Sequence, residues 1–224
     1  IWAKQMGGSS SEIPEVIKMD PVTRNIYIAG NFRDTADFDP GSGVANLMSA
    51  TTQSDCFITR LDSAGNFIWA RRLVANGGSC YDLALDNSGN VYVAGEFEDT
   101  ADFDPGAGIL NLISAGSEDA FICKLNNNGN LVWAKSVGSA TLERCYAIAV
   151  DDTNNVFVAG SYTNNCDFDP DPANTVNLLS SGSNDIYILK LGASGDFKWV
   201  HRIGGNGNDQ ARALLLDDVG NIYS

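Results

Sequence analysis

Four tryptophans, Trp2, Trp69, Trp133 and Trp199, recur at spacings of 67, 64 and 66 residues, in the contexts IWAKQMGG, IWARRLVANGG, VWAKSVGS and WVHRIGG. Asn25, Asn90, Asn155 and Asn221 recur at 65, 65 and 66, opening NIYIAG, NVYVAG, NVFVAG and NIYS. Phe38, Phe103 and Phe168 recur at 65 and 65 within ADFDP, ADFDP and CDFDP, and Asp55, Asp119 and Asp185 at 64 and 66 ahead of CFITRL, AFICKL and IYILKL. Four independent markers on one period mean that a single structural unit is repeated about every 65 residues. Such a unit buries its apolar faces only against copies of itself, so the period constrains the architecture before composition does.

Each unit holds four short stretches rich in Val, Ile, Tyr, Phe and Trp, separated by clusters of Gly, Asn and Asp. That is the pattern of successive antiparallel strands. In the second unit the strands read as Leu83-Ala84-Leu85, Val91 to Phe97, Ala120 to Leu125 and Leu131 to Ser136, with turns at Asp86 to Asn90 and Asn126 to Asn130. No segment sustains a 3.6-residue apolar period of helical length. The expected fold is all-β: a β-propeller of four-stranded antiparallel blades. Residues 1–224 read as one propeller or propeller fragment, with repeats at about 1–66, 67–130, 131–196 and an incomplete 197–224. This amounts to about 3.4 repeats, opening on a fourth-type strand and stopping on a second-type one. Closed rings use about 4 to 8 blades, so the expectation is an excerpt of a longer chain, about 455 residues for seven blades. The stretch around Trp2 could equally close the last blade of a small ring.

Charge narrows the partners. With 28 acidic against 14 basic side chains the formal charge is −14. No basic footprint exists for a polyphosphate, which argues against nucleic acid and against an anionic membrane surface. No apolar run approaches the ~20 residues of a spanning helix, so no membrane insertion is expected. The 44% apolar and 19% charged content suits a sizeable core. His201 is the single histidine, which excludes His-rich zinc sites and mechanisms needing two imidazoles. It aligns with Lys4, Arg71 and Lys135, an outward position on the fourth strand, and no Ser or Cys neighbours it as a nucleophile. No catalytic residue is therefore assigned. Cys56, Cys80, Cys123, Cys145 and Cys166 form no CxxC and read as mostly free, buried thiols. Cys80 and Cys145 hold equivalent positions in adjacent blades, where radial packing seldom brings Cα atoms within the ~7 Å of a disulfide.

The acidic loops carry the most suggestive chemistry. Asp34, Asp37 and Asp39 recur as Asp99, Asp102 and Asp104, and again in part as Asp167 and Asp169. Calcium takes 6 to 8 oxygen ligands, and alternating Asp with backbone carbonyls in a Gly-containing loop can supply them. The competing reading is a turn, in which Pro holds the preceding Asp extended while the carboxylates accept backbone N–H groups. On either reading no cofactor is required for the fold. Asp20, Asp86, Asp151 and Asp217 end the first strands ahead of Asn25, Asn90, Asn155 and Asn221; the expectation is an Asx-turn with Asn taking the positive φ. Asp55, Asp119 and Asp185 are placed to cap the third strands. The four tryptophans read as blade-to-blade packing, because ligand-binding aromatics break a repeat, and Tyr81, Tyr146 and Tyr162 are the better surface candidates. Gly204-Gly205-Asn206-Gly207 and Ala75-Asn76-Gly77-Gly78 lack the Lys-Ser/Thr of a phosphate loop and read as turns.

The stretches DNSGNVYVAG at 86–95 and DAFICKLNNNGNLVWAK at 119–135 resemble the bacterial seven-bladed β-propeller repeat family, and the ADFDPG insertion at 36–41 and 101–106 resembles a version found in secreted proteins of the Bacteroidetes. The third repeat departs from this pattern, with Asp171 in place of Gly41 and Gly106 and one residue more before Asn177. The resemblance implies an extracellular or cell-surface module and carries over no catalytic residue. The expectation is a non-enzymatic binding or structural scaffold within a larger secreted protein, meeting a protein or a surface glycan through loops on one face. The rest of a longer chain or a second copy would complete the ring. The rivals are a lectin-like or adhesion propeller, a filament subunit completed by strand exchange, and a hydrolase with two unlike carboxylates.

Overall fold

A computed structural model describes residues 1–73 and 77–224, and those residues form strands and turns without a helix. Three four-stranded antiparallel sheets succeed one another. The first comprises Glu12–Met19, Ile26–Phe32, Asp55–Leu61 and Phe67–Leu73. The second comprises Gly78–Leu85, Val91–Phe97, Asp119–Leu125 and Leu131–Val137. The third comprises Glu143–Val150, Val156–Tyr162, Asp185–Leu191 and Phe197–Ile203. Strands lie side by side in chain order within each sheet, which is the β-propeller blade. Leu215–Leu216 pairs with Ile222–Tyr223 to begin a fourth blade, and among the described residues the ring is not closed.

Blades are held together by what lies between them. One core joins Tyr27, Ile58, Trp69 and Leu73 of the first blade to Leu83, Val93, Phe97 and Phe121 of the second. Another joins Tyr92, Ile122 and Val137 of the second to Ile148, Val158, Tyr187 and Leu189 of the third. Val91–Phe97 and Val156–Tyr162 are therefore buried on both faces rather than alternating. The tryptophans seal the outer edge of each junction: Trp69 Nε1 donates to Asn127 O and Trp133 Nε1 to Ala193 O, each at 3.1 Å, onto the turn between the third and fourth strands of the next blade. Trp2 repeats the gesture toward Ser63 O at 3.4 Å, yet residues 1–6 form no strand. Among the described residues the expected fourth-type strand finds no third-type strand to pair with.

Three further differences have physical reasons. Each repeat carries six strands rather than four, because the ADFDP segment folds as a small hairpin: Thr35–Asp37 with Asn46–Met48, Thr100–Asp102 with Asn111–Ile113, and Asn165–Asp167 with Asn177–Leu179. The hairpins reach back to the preceding blade, with Gly7 paired to Asp37 and Gly138 to Asp167. The first strand of the second blade spans Gly78–Leu85 instead of Leu83 to Leu85, since a bulge at Tyr81 breaks its alternation. Asn25, Asn90, Asn155 and Asn221 do not take the positive φ; Arg24 (62°), Gly89 (73°), Asn154 (63°) and Gly220 (85°), one position earlier, do. The turn at Gly204 to Gly207 is free of strand, whereas the one expected at Ala75 to Gly78 falls partly outside the described residues.

Candidate functional site

The eight expected calcium ligands divide into two groups. Asp37 Oδ1 accepts the backbone N–H groups of Asp39 (3.0 Å) and Ala45 (2.8 Å). Asp102 accepts those of Asp104 (3.0 Å) and Leu110 (2.9 Å), and Asp167 those of Asp169 (3.1 Å) and Val176 (2.8 Å). Asp39, Asp104 and Asp169 each accept the N–H two residues on, from Gly41, Gly106 and Asp171. The longer third loop keeps these bonds and takes up its added residue in a further turn, where Asp171 accepts the amides of Ala173 and Asn174. The amides of Ala45 and Asp39 hold the Asp37 carboxyl below the usual carboxylate range. Asp34 and Asp99 sit at the other end of the hairpin in the left-handed region, at φ 59° and 52°, where their carbonyls accept from Ser49 and Ser114. Among the described residues no three His, Cys, Asp or Glu side chains converge as metal ligands. Each loop walls a crevice against a basic side chain that precedes it in the chain: Lys4 beside Asp37 and Asp39 (about 370 Å³), Arg71 beside Asp102 and Asp104 (about 310 Å³), Lys135 beside Asp169 and Asp171 (about 450 Å³).

The repeated inner acids are turn residues. Asp86 Oδ1 accepts the amides of Ser88 and Asn90 at 2.9 Å, and Oδ2 accepts Asn90 Nδ2 (2.8 Å) and Tyr92 Oη (3.2 Å). Asp151 and Asp217 repeat the pattern with Asn155 and Asn221, and Asp20 uses Val22 and Thr23. Burial pushes Asp151 up, but the bonds donated by Asn155 and Thr153 outweigh it and hold the carboxyl low. Asp55, Asp119 and Asp185 open the third strands, buried, and tie them to the hairpin exit through the amides of Ala50, Ala115 and Ser181. Phe38, Phe103 and Phe168 are buried anchors stacked on Phe57, Phe121 and Tyr187. His201 is exposed beside Trp199. All five cysteines are free and buried.

Residues that break the repeat gather elsewhere, at the end of the inner strands opposite the Asp86-type turns. Every complete inner strand carries a bulge at one place, and the extra residue is Glu15, Tyr81 or Tyr146; the aligned residue of the fourth blade is Arg212. A bulge lifts its residue out of the ladder and re-aims the side chain. Here the result is a stack: the rings of Tyr81 and Tyr146 lie 5.3 Å apart, and the Arg212 guanidinium sits 4.0 Å over Tyr146. Beneath it, Tyr81 Oη donates to Glu96 at 2.6 Å, and Arg144 bridges Glu96 and Glu118 with ion pairs of 2.5 Å each. Glu96 stands where the other blades have Asn31 and Ser161, and Glu118 where they have Ser54 and Asn184.

Two carboxylates share one guanidinium, and Glu96 is the more enclosed, with a side chain 12% exposed. Burial, reinforced by Glu118 and opposed by Tyr81 and Arg144, pushes its carboxyl up to about 7. Asp82, which follows Tyr81 on the inner strand, is also raised by burial although it accepts Ile148 N–H and faces Lys18. A crevice of about 260 Å³ lined by Arg33, Ser54, Ser79, Glu96 and Glu98 opens beside the network. Two nearby acids in unlike surroundings are what the hydrolase reading asks for, but Arg144 engages both. Of the expected surface tyrosines, Tyr81 is half-buried and Tyr146 lies under Arg212. Tyr162 is wholly buried against Phe168 and Tyr187, because it occupies the core position of Phe32 and Phe97. Sequence reasoning passed over Glu96, Glu118, Arg144 and Arg212, whose signal was their departure from the aligned residues of other repeats.

Residues 68–96 match the family model described as Beta-propeller repeat. The chain is 23% identical over 248 residues, 96% of its own length, to an uncharacterized WD repeat-containing protein L264 of Acanthamoeba polyphaga mimivirus. It is 31% identical over 108 residues, 48% of its length, to the regulatory protein FlaEY of Caulobacter vibrioides. The chain spans 16% and 11% of these two proteins. With three stacked four-stranded blades in hand, these matches support a β-propeller repeat chain.

Proposed function

We propose that the chain is a non-catalytic protein-interaction scaffold of a larger extracellular or cell-surface protein, with its binding face at the bulged ends of the inner strands. One observation carries the reading: residues common to the repeats are spent on turns and blade packing, whereas the bulge position, free of ladder duties, holds an acid at Glu15, tyrosines at Tyr81 and Tyr146, and a base at Arg212. Variable side chains on a uniform frame are how repeat proteins distinguish partners. The WD repeat-containing relative supports the class, and the greater length of both relatives supports further blades from one longer chain over completion by a second copy. Among the described residues no helix is long and apolar enough to cross a membrane.

A photo-crosslinker placed at residue 81, used in the native host and read by mass spectrometry, tests the proposal. A discrete set of proteins that disappears in Arg212→Glu, with the melting temperature unchanged, supports it. Glycans recovered in place of proteins would establish the lectin-like rival, and a set indifferent to Arg212→Glu would move the binding face elsewhere.

A further inference from the structure

Cys56 and Cys80 belong to different blades yet face one another. Cys56 is the cross-strand partner of Asn31, so the two side chains share one face of the first blade. That face looks at the second blade, because Asn31 Oδ1 accepts the backbone N–H of Cys80 at 3.0 Å. Cys80 returns the approach, its Sγ lying 3.1 Å from Gly30 O, one residue from Asn31. Both thiols are wholly buried in the same core, each against the Gly30–Asn31 segment of the first blade. Other junctions lack the pair: Ala120 takes the place of Cys56 opposite Cys145, and Ile186 opposite Ala211.

We propose that Cys56 and Cys80 are a disulfide site that locks the first blade to the second when the chain folds under oxidising conditions. A small-molecule disulfide such as oxidised glutathione is the oxidant. The thiolate of one cysteine attacks it, forming a mixed disulfide and releasing one glutathione thiolate, which takes up a proton. The second cysteine attacks the mixed disulfide, forming the Cys56–Cys80 bond and releasing the second glutathione. Overall two protein thiols are oxidised and one glutathione disulfide is reduced to two thiols. Burial holds the Cys56 thiol protonated in the folded chain, so exchange belongs to folding or to transient opening of the junction. The bond closes a loop across the inter-blade connection, which removes freedom from the unfolded chain.

The test refolds the chain from denaturant in a mixture of reduced and oxidised glutathione, alkylates it under denaturing conditions and maps peptides by mass spectrometry. The expected product carries a single Cys56–Cys80 cross-link with Cys123, Cys145 and Cys166 alkylated, and melts several degrees above the reduced chain. Cys145→Ala keeps the cross-link and Cys80→Ala abolishes it. Alkylation of all five cysteines, cross-links scattered among them, or a cross-linked form that melts below the reduced one would each overturn the proposal.

Discussion

Replacing Glu96 by Gln keeps the shape and the acceptor for Tyr81 and removes only the buried charge. Moving a carboxyl from an ordinary 4.5 to about 7 costs, at ~1.4 kcal/mol per pH unit, at most about 3 kcal/mol of stability once the group is ionised. The sign follows from proton counting. Between pH 5 and 7 the folded chain holds a proton on Glu96 that the unfolded chain has released, so wild-type stability is fully present at acidic pH and is lost as pH rises through 7. Glu143, held in the third blade by Ser139 and Thr141, is raised by burial to about 7 as well and adds a parallel loss. Glu96→Gln removes one contribution and leaves the other, so the difference between variant and wild type isolates Glu96. Melting curves by circular dichroism should coincide near pH 5 and separate toward pH 8, with the variant higher by ~5 °C or more at the full magnitude. A variant less stable at pH 8 would show that the Arg144 ion pair outweighs desolvation, and the account of this junction would fall.

Four other outcomes follow from the geometry. Asp86→Ala removes an acceptor of two amides, one side-chain amide and a phenol, and should cost about 2 kcal/mol in urea unfolding; a loss below ~0.5 kcal/mol would deny the turn its role. Phe103→Ala empties a site walled by Phe97 and Phe121 and should cost about 3–5 kcal/mol, which a cooperative melt will register. Gly138→Ala drives a methyl group onto the buried Asp119 carboxylate and should cost about 2 kcal/mol or more by the same unfolding assay; a neutral result would show that the loop shifts freely. Calcium against chelator should move the melting temperature by less than ~1 °C, since the Asp37-type oxygens already hold backbone amides; a rise of several degrees would establish those loops as metal sites.

How much of this the sequence disclosed depended on how many residues each feature uses. Seven-residue strands such as Val91–Phe97 show their composition and their period, and the blade plan followed from them. Three-residue strands such as Thr100–Asp102 offer too few positions for any pattern, so the ADFDP hairpins read as loops. The Asx-turns are legible from Asp86 and Asn90, but the positive φ falls one residue earlier, at Gly89: the side chain that bonds and the backbone that turns are neighbours, not one residue. The candidate site was the least visible part. Searching for repeated residues finds the frame and passes over Glu96, Arg144 and Arg212, which became notable once the bulges aligned Glu15, Tyr81 and Tyr146.

Those bulges bear on how such a chain can change over time. An amino acid inside a ladder answers to two neighbouring strands and to the blade packed behind them, so most exchanges there are penalised. The extra residue of each inner strand stands outside the ladder and answers mainly to its counterparts in the adjoining blades, and the chain already carries an acid, two aromatics and a base at that place. Each blade therefore offers selection one position released from the ladder, and duplicating a blade supplies another. New recognition can then arise by altering a few sites in register from blade to blade, while the scaffold that presents them stays as it was.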